Sequence, residues 1–252
     1  MIDLRQGDCL EILPTLEAES FDAVVTDPPY SSGGLFRSDR VGGTTDDKYT
    51  AAEYRGKRPN FSGDNMDQRA WTNWCHRWLS ECRRLMRPGG YLCCFTDWRQ
   101  LPALSDAVQH AGWVWRGILA WDKTEAAKAP HLGYFGYQCE FVVWATNGPC
   151  ERKPTLAEGG EGRMPGCFRK AVSAADKHHQ TGKPTDVMRW LVRCAPPGGL
   201  VLDPFAGSGT TAVACALEGR SCVGIEREAA YHDIALRRIE EARRDGPCRC
   251  LW

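Results

Sequence analysis

Short apolar runs alternate along the chain with stripes at helical spacing, and that alternation predicts an α/β fold. Ile2 to Arg5 reads as a short strand closed by Gly7-Asp8, and Cys9 to Leu16 as a helical turn. Phe21 to Thr26 is apolar on both faces, the pattern of a central parallel strand. Trp71, Trp74, Trp78, Leu79, Cys82 and Leu85 recur at helical spacing, a stripe that suits a core-facing helix better than a base-stacking surface. The helix stops at Arg87-Pro88-Gly89-Gly90, ahead of a strand from Tyr91 to Phe95. A helix over Leu101 to Ala111 follows, then two longer strands, Trp113 to Trp121 and Gln138 to Ala145. Lys183-Pro184 opens a helix over Thr185 to Cys194, with Pro in its first turn, and Pro196-Pro197-Gly198-Gly199 ends it. A strand into Asp203, a helix over Ala212 to Leu217, a strand from Ser221 to Glu226 and a charged helix over Tyr231 to Arg244 complete a pattern of seven strands.

Two stretches carry no periodicity. Ser31 to Asp67 is rich in Gly, Asp, Arg and Thr, and long loops in compact domains are functional or mobile more often than not. It holds Arg37, Arg40, Lys48, Arg55, Lys57 and Arg58, with Arg69 just beyond, though acidic residues are interspersed. Asn147 to Gly182 is high in Gly and Pro, with Arg152, Lys153, Arg163, Arg169, Lys170 and Lys177 in slight excess over its carboxylates. A domain spanning 1–252, with 31–69 and 147–182 as insertions, is the expected organisation.

Composition narrows the class. The 252 residues, 42% hydrophobic, suffice for one full core. Basic and acidic residues balance at 32 each, so any nucleic-acid surface must be a local patch. No apolar run approaches the roughly 18 residues of a membrane span, and the N-terminus lacks a signal-peptide layout. The 13 cysteines are odd in number, scattered and without a Cys-x-x-Cys pair. A reduced cytoplasmic protein with no metal site is expected.

Candidate chemistry sits in two places. Val201-Leu202-Asp203-Pro204-Phe205-Ala206-Gly207-Ser208-Gly209-Thr210-Thr211 is a strand, a tight turn and a helix start. Such a turn lets a ligand approach the backbone, and the helix N–H groups favour an anion. Glu226, at the end of the next strand, can accept both hydroxyls of a ribose. Taken alone the turn could be a plain strand-to-helix connection. The second place is Asp27-Pro28-Pro29-Tyr30, at the end of the Phe21 strand.

In this pairing the chain resembles the DNA amino-methyltransferases, which use S-adenosylmethionine (AdoMet) to methylate the exocyclic amine of adenine or cytosine. Their Asp/Asn/Ser-Pro-Pro-Tyr/Phe tetrapeptide and Phe-x-Gly-x-Gly turn are both intact, with the catalytic motif first, the permuted order of the beta group. The resemblance implies a seven-stranded, mostly parallel Rossmann-like sheet with helices on both faces and one antiparallel strand. It implies catalytic roles for Asp27, Pro28, Pro29 and Tyr30: Asp27 and the Pro28 carbonyl accept from the amine, and Tyr30 stacks on the base. It implies cofactor contacts from Asp203, Pro204, Phe205, Ala206, Gly207, Ser208, Gly209, Thr210 and Glu226. Asp8 and Cys9 would lie near the cofactor's adenine, although Asp8 could equally cap the helix after Gly7. Lys183 would point at the cofactor's methionine carboxylate, or be a surface charge.

The expected reaction is methylation of adenine N6 in DNA, because Asp heads the tetrapeptide where cytosine-N4 enzymes more often have Ser. The DNA would be duplex with the target flipped out, or single-stranded. Cytosine N4 stays the nearest alternative, followed by RNA, and by a non-catalytic nucleic-acid-binding protein on the same fold. The resemblance fits a bacterial or phage restriction-modification context, and leaves a homodimer open. The segment 147–182 lies where this group places its target-recognition region, and its shortness argues against strong sequence specificity.

Overall fold

In the computed structural model the described residues are 1–31, 66–125, 127, 131–150, 164–172 and 182–245. Eight strands form one sheet: β1 (Ile2–Gln6), β2 (Phe21–Thr26), β3 (Met86–Thr96), β4 (Val114–Asp122), β5 (Cys139–Thr146), β6 (Cys167–Arg169), β7 (Leu200–Asp203) and β8 (Ser221–Glu226). The helices are α1 (Cys9–Ile12), α2 (Gln68–Leu85), α3 (Leu101–His110), α4 (Thr185–Val192), α5 (Thr210–Leu217) and α6 (Ala229–Asp245). The order across the sheet is β1-β8-β7-β2-β3-β5-β4-β6, and β5 alone runs antiparallel to its neighbours.

The alternation of strand side chains divides the core into two layers. Val24, Leu92, Leu202 and Val223 face α2 and α3, while Ala23, Val25, Cys93, Phe95 and Val201 face α4 and α5. Both faces of β2 are therefore covered, and all six of its residues are buried. Each fully buried Val or Leu contributes roughly 1.5–3 kcal/mol relative to exposure. The tryptophan stripe is core, as its spacing predicts: Trp71 and Trp78 are fully buried. Asp22, the one charge inside β2, is bonded by the Arg87 guanidinium at 2.9 Å and by the Leu200 N–H at 2.9 Å.

Two expectations are corrected. The eighth strand, β6, lies in the segment that the pattern leaves without an element. Its three residues extend the sheet edge by pairing parallel to β4, Ala120 with Cys167, and three residues are too few to show a period. Arg87 to Gly90 is not a helix cap but the irregular start of β3, because Met86 already pairs with Phe21 before the register shifts. Among the described residues no helix is long and apolar enough to cross a membrane.

Candidate active site

β1, β8, β7 and β2 lie side by side and parallel, so their carboxyl ends meet along one edge of the sheet. One pocket opens there, lined from Gly7 to Cys9 after β1, Asp27 to Tyr30 after β2, Asp203 to Ser208 after β7 and Ile225 to Glu228 at β8. This edge is where open parallel sheets take ligands, since the turns diverge at the point where strand order reverses. Every candidate residue of the sequence lines the pocket except Gly209.

Gly209 serves packing instead. Its backbone is left-handed at φ +79°, and a Cβ there would stand 2.8 Å from the Cβ of Ala235 in α6. Gly207, at φ +52°, does face the pocket, and its N–H donates to Glu226 Oε2 at 2.7 Å. The Glu228 N–H donates to the other oxygen, Oε1, at 2.7 Å. Two backbone donors thus orient the Glu226 carboxylate and leave lone pairs for a ligand. Burial pushes its carboxyl up from the ordinary value, against those two bonds.

Asp203 is turned inward. It is 3% exposed and accepts from the hydroxyls of Thr26, at 2.7 Å, and Thr211, and from the Phe205 N–H. Burial raises its pKa to about 6, with the hydroxyl bonds opposing. The sequence reading of Asp203 as a cofactor contact changes accordingly: its carboxylate ties the ends of β2 and β7 together and so holds the two motifs in register. Ser208 and Thr210 likewise give their side-chain oxygens to Arg238 of α6, at 3.0 and 3.1 Å. Phe205 packs between Trp74 and Trp78, ring centroids 5.2 and 5.1 Å away, with Pro204 and Ala206 beside it in the pocket wall. Asp8 caps α1 at the Leu10 N–H, 2.8 Å, and also lines the pocket, with Arg227 3.6 Å away. Burial, with Asp8 adding to it, pushes the Cys9 thiol up to about 12, so it is neutral.

At the other end of the pocket the Asp27 carboxylate is held on both oxygens. Tyr30 donates its hydroxyl to Oδ1 at 2.7 Å, and Lys183 places Nζ 2.6 Å from Oδ2. Burial raises the Asp27 carboxyl above the ordinary range while the Lys183 charge pulls it down. Burial and the Asp27 charge keep Tyr30 a phenol. The Pro29 carbonyl accepts from the Trp71 indole at 2.7 Å, and the Tyr30 carbonyl from Gln100 Nε2 at 2.9 Å. The tetrapeptide is therefore pinned at two carbonyls, to Trp71 of α2 and to Gln100 just before α3, and Pro28 also lines the pocket.

The position of Lys183 differs from the sequence expectation. It is 5% exposed, and its ammonium sits between Asp27 and Glu140 of β5, 3.3 Å from the latter. Burial alone would lower its pKa, but the two carboxylates raise it, and it is charged. That ammonium belongs to the Asp27 end of the pocket, not to a free anion site. Sequence reasoning missed Glu140, whose signal was a carboxylate leading an otherwise apolar strand, Glu140-Phe141-Val142-Val143-Trp144.

It also missed an aromatic ledge beside Tyr30. β3 ends one strand over from β2, and Trp98 emerges there 52% exposed. Its ring stacks on Tyr137 at 6.3 Å, with the Arg99 guanidinium 4.9 Å from its centroid. Leu132, Tyr134 and Phe135 are exposed in the β4–β5 connection. Two members of the expected basic face are paired with carboxylates. Arg169 pairs with Asp122 and Glu125 at 3.5 and 3.1 Å, and Lys170 with Asp186 at 2.5 Å. Arg37, Arg40, Lys48, Arg55, Lys57, Arg58, Arg152, Lys153, Arg163 and Lys177 lie outside the described residues.

Comparison with known proteins gives the family and relatives of the same fold. A family model for DNA methylases of the N6/N4 type matches residues 21–237. The Type II methyltransferase M.HinfI of Haemophilus influenzae is 26% identical over 261 residues, covering 94% of this chain and 68% of its own. The crystal structure of an M1.HpyAVI–SAM complex superposes with a TM-score of 0.67 at 23% identity, covering 95% of this chain and 99% of that one. The PvuII DNA methyltransferase, cytosine-N4-specific, superposes with a TM-score of 0.68 at 17% identity, covering 96% and 90%.

Proposed function

The chain belongs to the DNA methylase family of N6/N4 amino-methyltransferases, and we propose that within it the chain methylates N6 of adenine. AdoMet is the methyl donor of this family, and the pocket suits it. Glu226 offers oriented lone pairs for a ribose, Phe205 and Ile225 offer apolar walls, and Asp8 offers an acceptor near the far end. The observation that carries the adenine reading is the carboxylate of Asp27 at the head of the tetrapeptide, fixed at the pocket end by Tyr30 and Lys183. The fold does not discriminate, since a cytosine-N4 enzyme shares it.

The mechanism concerns the amine. Its lone pair is conjugated with the ring, so it attacks poorly. Asp27 accepts one of its N–H groups and the Pro28 carbonyl the other, which draws the nitrogen towards sp³ geometry and frees the lone pair. AdoMet, when bound, supplies a methyl group on a positively charged sulfur. The amine starts with two protons and ends with one; the Asp27 carboxylate, already accepting one of them, is placed to take it as positive charge develops. Tyr30 presents a ring for the base. The chain's contribution is positioning and electrostatic stabilisation, from groups held before the reaction begins. In this proposal residues 1–252 form one methyltransferase domain, with 31–69 and 147–182 as insertions.

Nucleoside mass spectrometry of DNA digested after incubation with labelled AdoMet tests the base. N6-methyladenine is the expected product, and N4-methylcytosine would reverse the choice while keeping the mechanism.

The ledge of Trp98 and Tyr137 at the end of β3, with Arg99 against both rings and paired with Asp97 at 3.5 Å, offers DNA an aromatic surface. Stacking of a base on an aromatic ring contributes about 1–3 kcal/mol. Trp98→Ala is therefore expected to weaken DNA binding roughly tenfold while leaving AdoMet affinity unchanged. Fluorescence anisotropy with labelled duplex measures the first and calorimetry the second, and an unaltered DNA affinity would remove the ledge from the interface.

A further inference from the structure

We propose that Glu140 is a positioning residue for methyl transfer: through Lys183 it sets how tightly the Asp27 carboxylate is held and how strongly it accepts from the reacting amine. The inference rests on the role of Asp27 given above.

The geometry is a chain of four charges from four parts of the fold. Lys183, just before α4, lies between the two carboxylates, 2.6 Å from Asp27 Oδ2 and 3.3 Å from Glu140 Oε2. Lys123, after β4, closes the far side at 3.2 Å from Glu140 Oε1. The Tyr30 hydroxyl bridges the same two carboxylates, 2.7 Å from Asp27 and 3.4 Å from Glu140. Burial would raise the Glu140 carboxyl, but Lys183 and Lys123 overcome it and it is lowered, so Glu140 is ionised.

Two features separate this from a structural ion pair. Well-packed apolar residues in place of a buried ion pair are often as stabilising or more so, so stability alone gives little reason for this one. And the chain ends on Asp27, the one member that the reacting amine must touch. Two carboxylates against two ammoniums make the group neutral, so positive charge arising beside Asp27 meets no net repulsion. Without the Glu140 charge the group becomes cationic at the moment the amine does. Lys183, no longer shared, would also bind Asp27 alone and draw down its electron density. Asp27 acts on Asp203 of β7 and on the Cys94 thiol of β3, and Asp97 acts on Tyr30 from the end of β3. A change at Glu140 leaves these in place.

The test is the pH dependence of kcat, with AdoMet affinity and melting temperature measured on the same proteins. Glu140→Gln is expected to lower kcat at least about tenfold. It also removes a negative neighbour from Asp27, so the acid limb of the profile moves to lower pH by about one unit. AdoMet affinity stays the same, and Glu140→Asp restores part of both effects. Lys123→Met, which leaves Glu140 wholly to Lys183, moves the limb the other way, and this measurement stands even where Glu140→Gln does not fold. A loss of rate with an unmoved acid limb would mean that Glu140 only supports the fold, and would overturn the proposal. Asp27→Asn separates the two readings. Should Asp27→Asn retain wild-type rate, the role of Asp27 itself fails; should it be inactive while Glu140→Gln behaves as wild type, the Glu140 proposal fails alone.

Discussion

Asp27→Asn abolishes methyl transfer, by at least about 100- to 1000-fold, and leaves AdoMet affinity within a few-fold. The substitution keeps the shape of the side chain and removes its charge. An amide presents one weaker acceptor where the carboxylate had two, and its NH2 group repels an N–H of the incoming amine. It also leaves Lys183 with Glu140 as its only remaining carboxylate among its described partners. Breaking a buried pair costs about 3–5 kcal/mol when the remaining charge has no other partner; here Glu140 limits that cost, so the variant folds. Lys183 at 2.6 Å and burial act on the Asp27 carboxyl in opposite senses, and burial prevails, raising it. The reactive form is the ionised one, so the rate falls as pH drops through a value above the ordinary carboxylate range. That limb disappears in the variant. Single-turnover rates with duplex DNA and calorimetric titration with AdoMet measure the two effects. A variant that loses both together would place Asp27 in the fold, not in the reaction.

Glu226→Ala weakens AdoMet affinity about 10- to 100-fold, with kcat at saturating AdoMet nearly unchanged. A hydrogen bond to a charged group contributes about 1.5–3 kcal/mol, and the carboxylate is positioned to accept from a ribose. The contact is made equally before and during transfer, which raises KM for the cofactor and spares kcat. The variant also leaves the Gly207 and Glu228 N–H groups without their acceptor, so a lower melting temperature accompanies the loss. Glu226→Gln keeps an acceptor for one of them and is expected to fall between wild type and Ala in both measurements. Unchanged affinity in Glu226→Ala would remove the ribose assignment.

Much of the fold was legible because the chain repeats a simple rule. A strand covered on both faces is apolar throughout, and Phe21 to Thr26 is such a run at the centre of the sheet. A helix covered on one face shows a stripe, and of that stripe Trp71, Trp78, Leu79, Cys82 and Leu85 are fully buried, while Trp74 is half-buried at the pocket wall. The sheet edges were harder. β6 is three residues long and owes its conformation to β4, not to its own pattern.

The two motifs of the site were legible for a different reason. Asp27-Pro28-Pro29-Tyr30 and Phe205-Ala206-Gly207-Ser208-Gly209 are local, and their backbone requirements are written in Pro and Gly. The charges around them were not local. Lys183 lies 156 residues from Asp27, and Glu140 lies 110 from Tyr30. Asp203 lines the pocket, and its carboxylate is also bonded by the hydroxyls of Thr26, 177 residues away, and Thr211. Arg169 and Lys170 stand together as basic residues in the sequence, and their carboxylate partners Asp122, Glu125 and Asp186 come from other parts of the chain.

The sequence by itself determined the class of fold, the order of the motifs and the chemistry that each could perform, because periodicity, Pro and Gly act over a few neighbouring residues. Only the tertiary structure decided which charges face one another. Coulomb interactions and hydrogen bonds depend on distances of a few ångströms between side chains from β2, β5 and the approach to α4, and no local pattern encodes those distances.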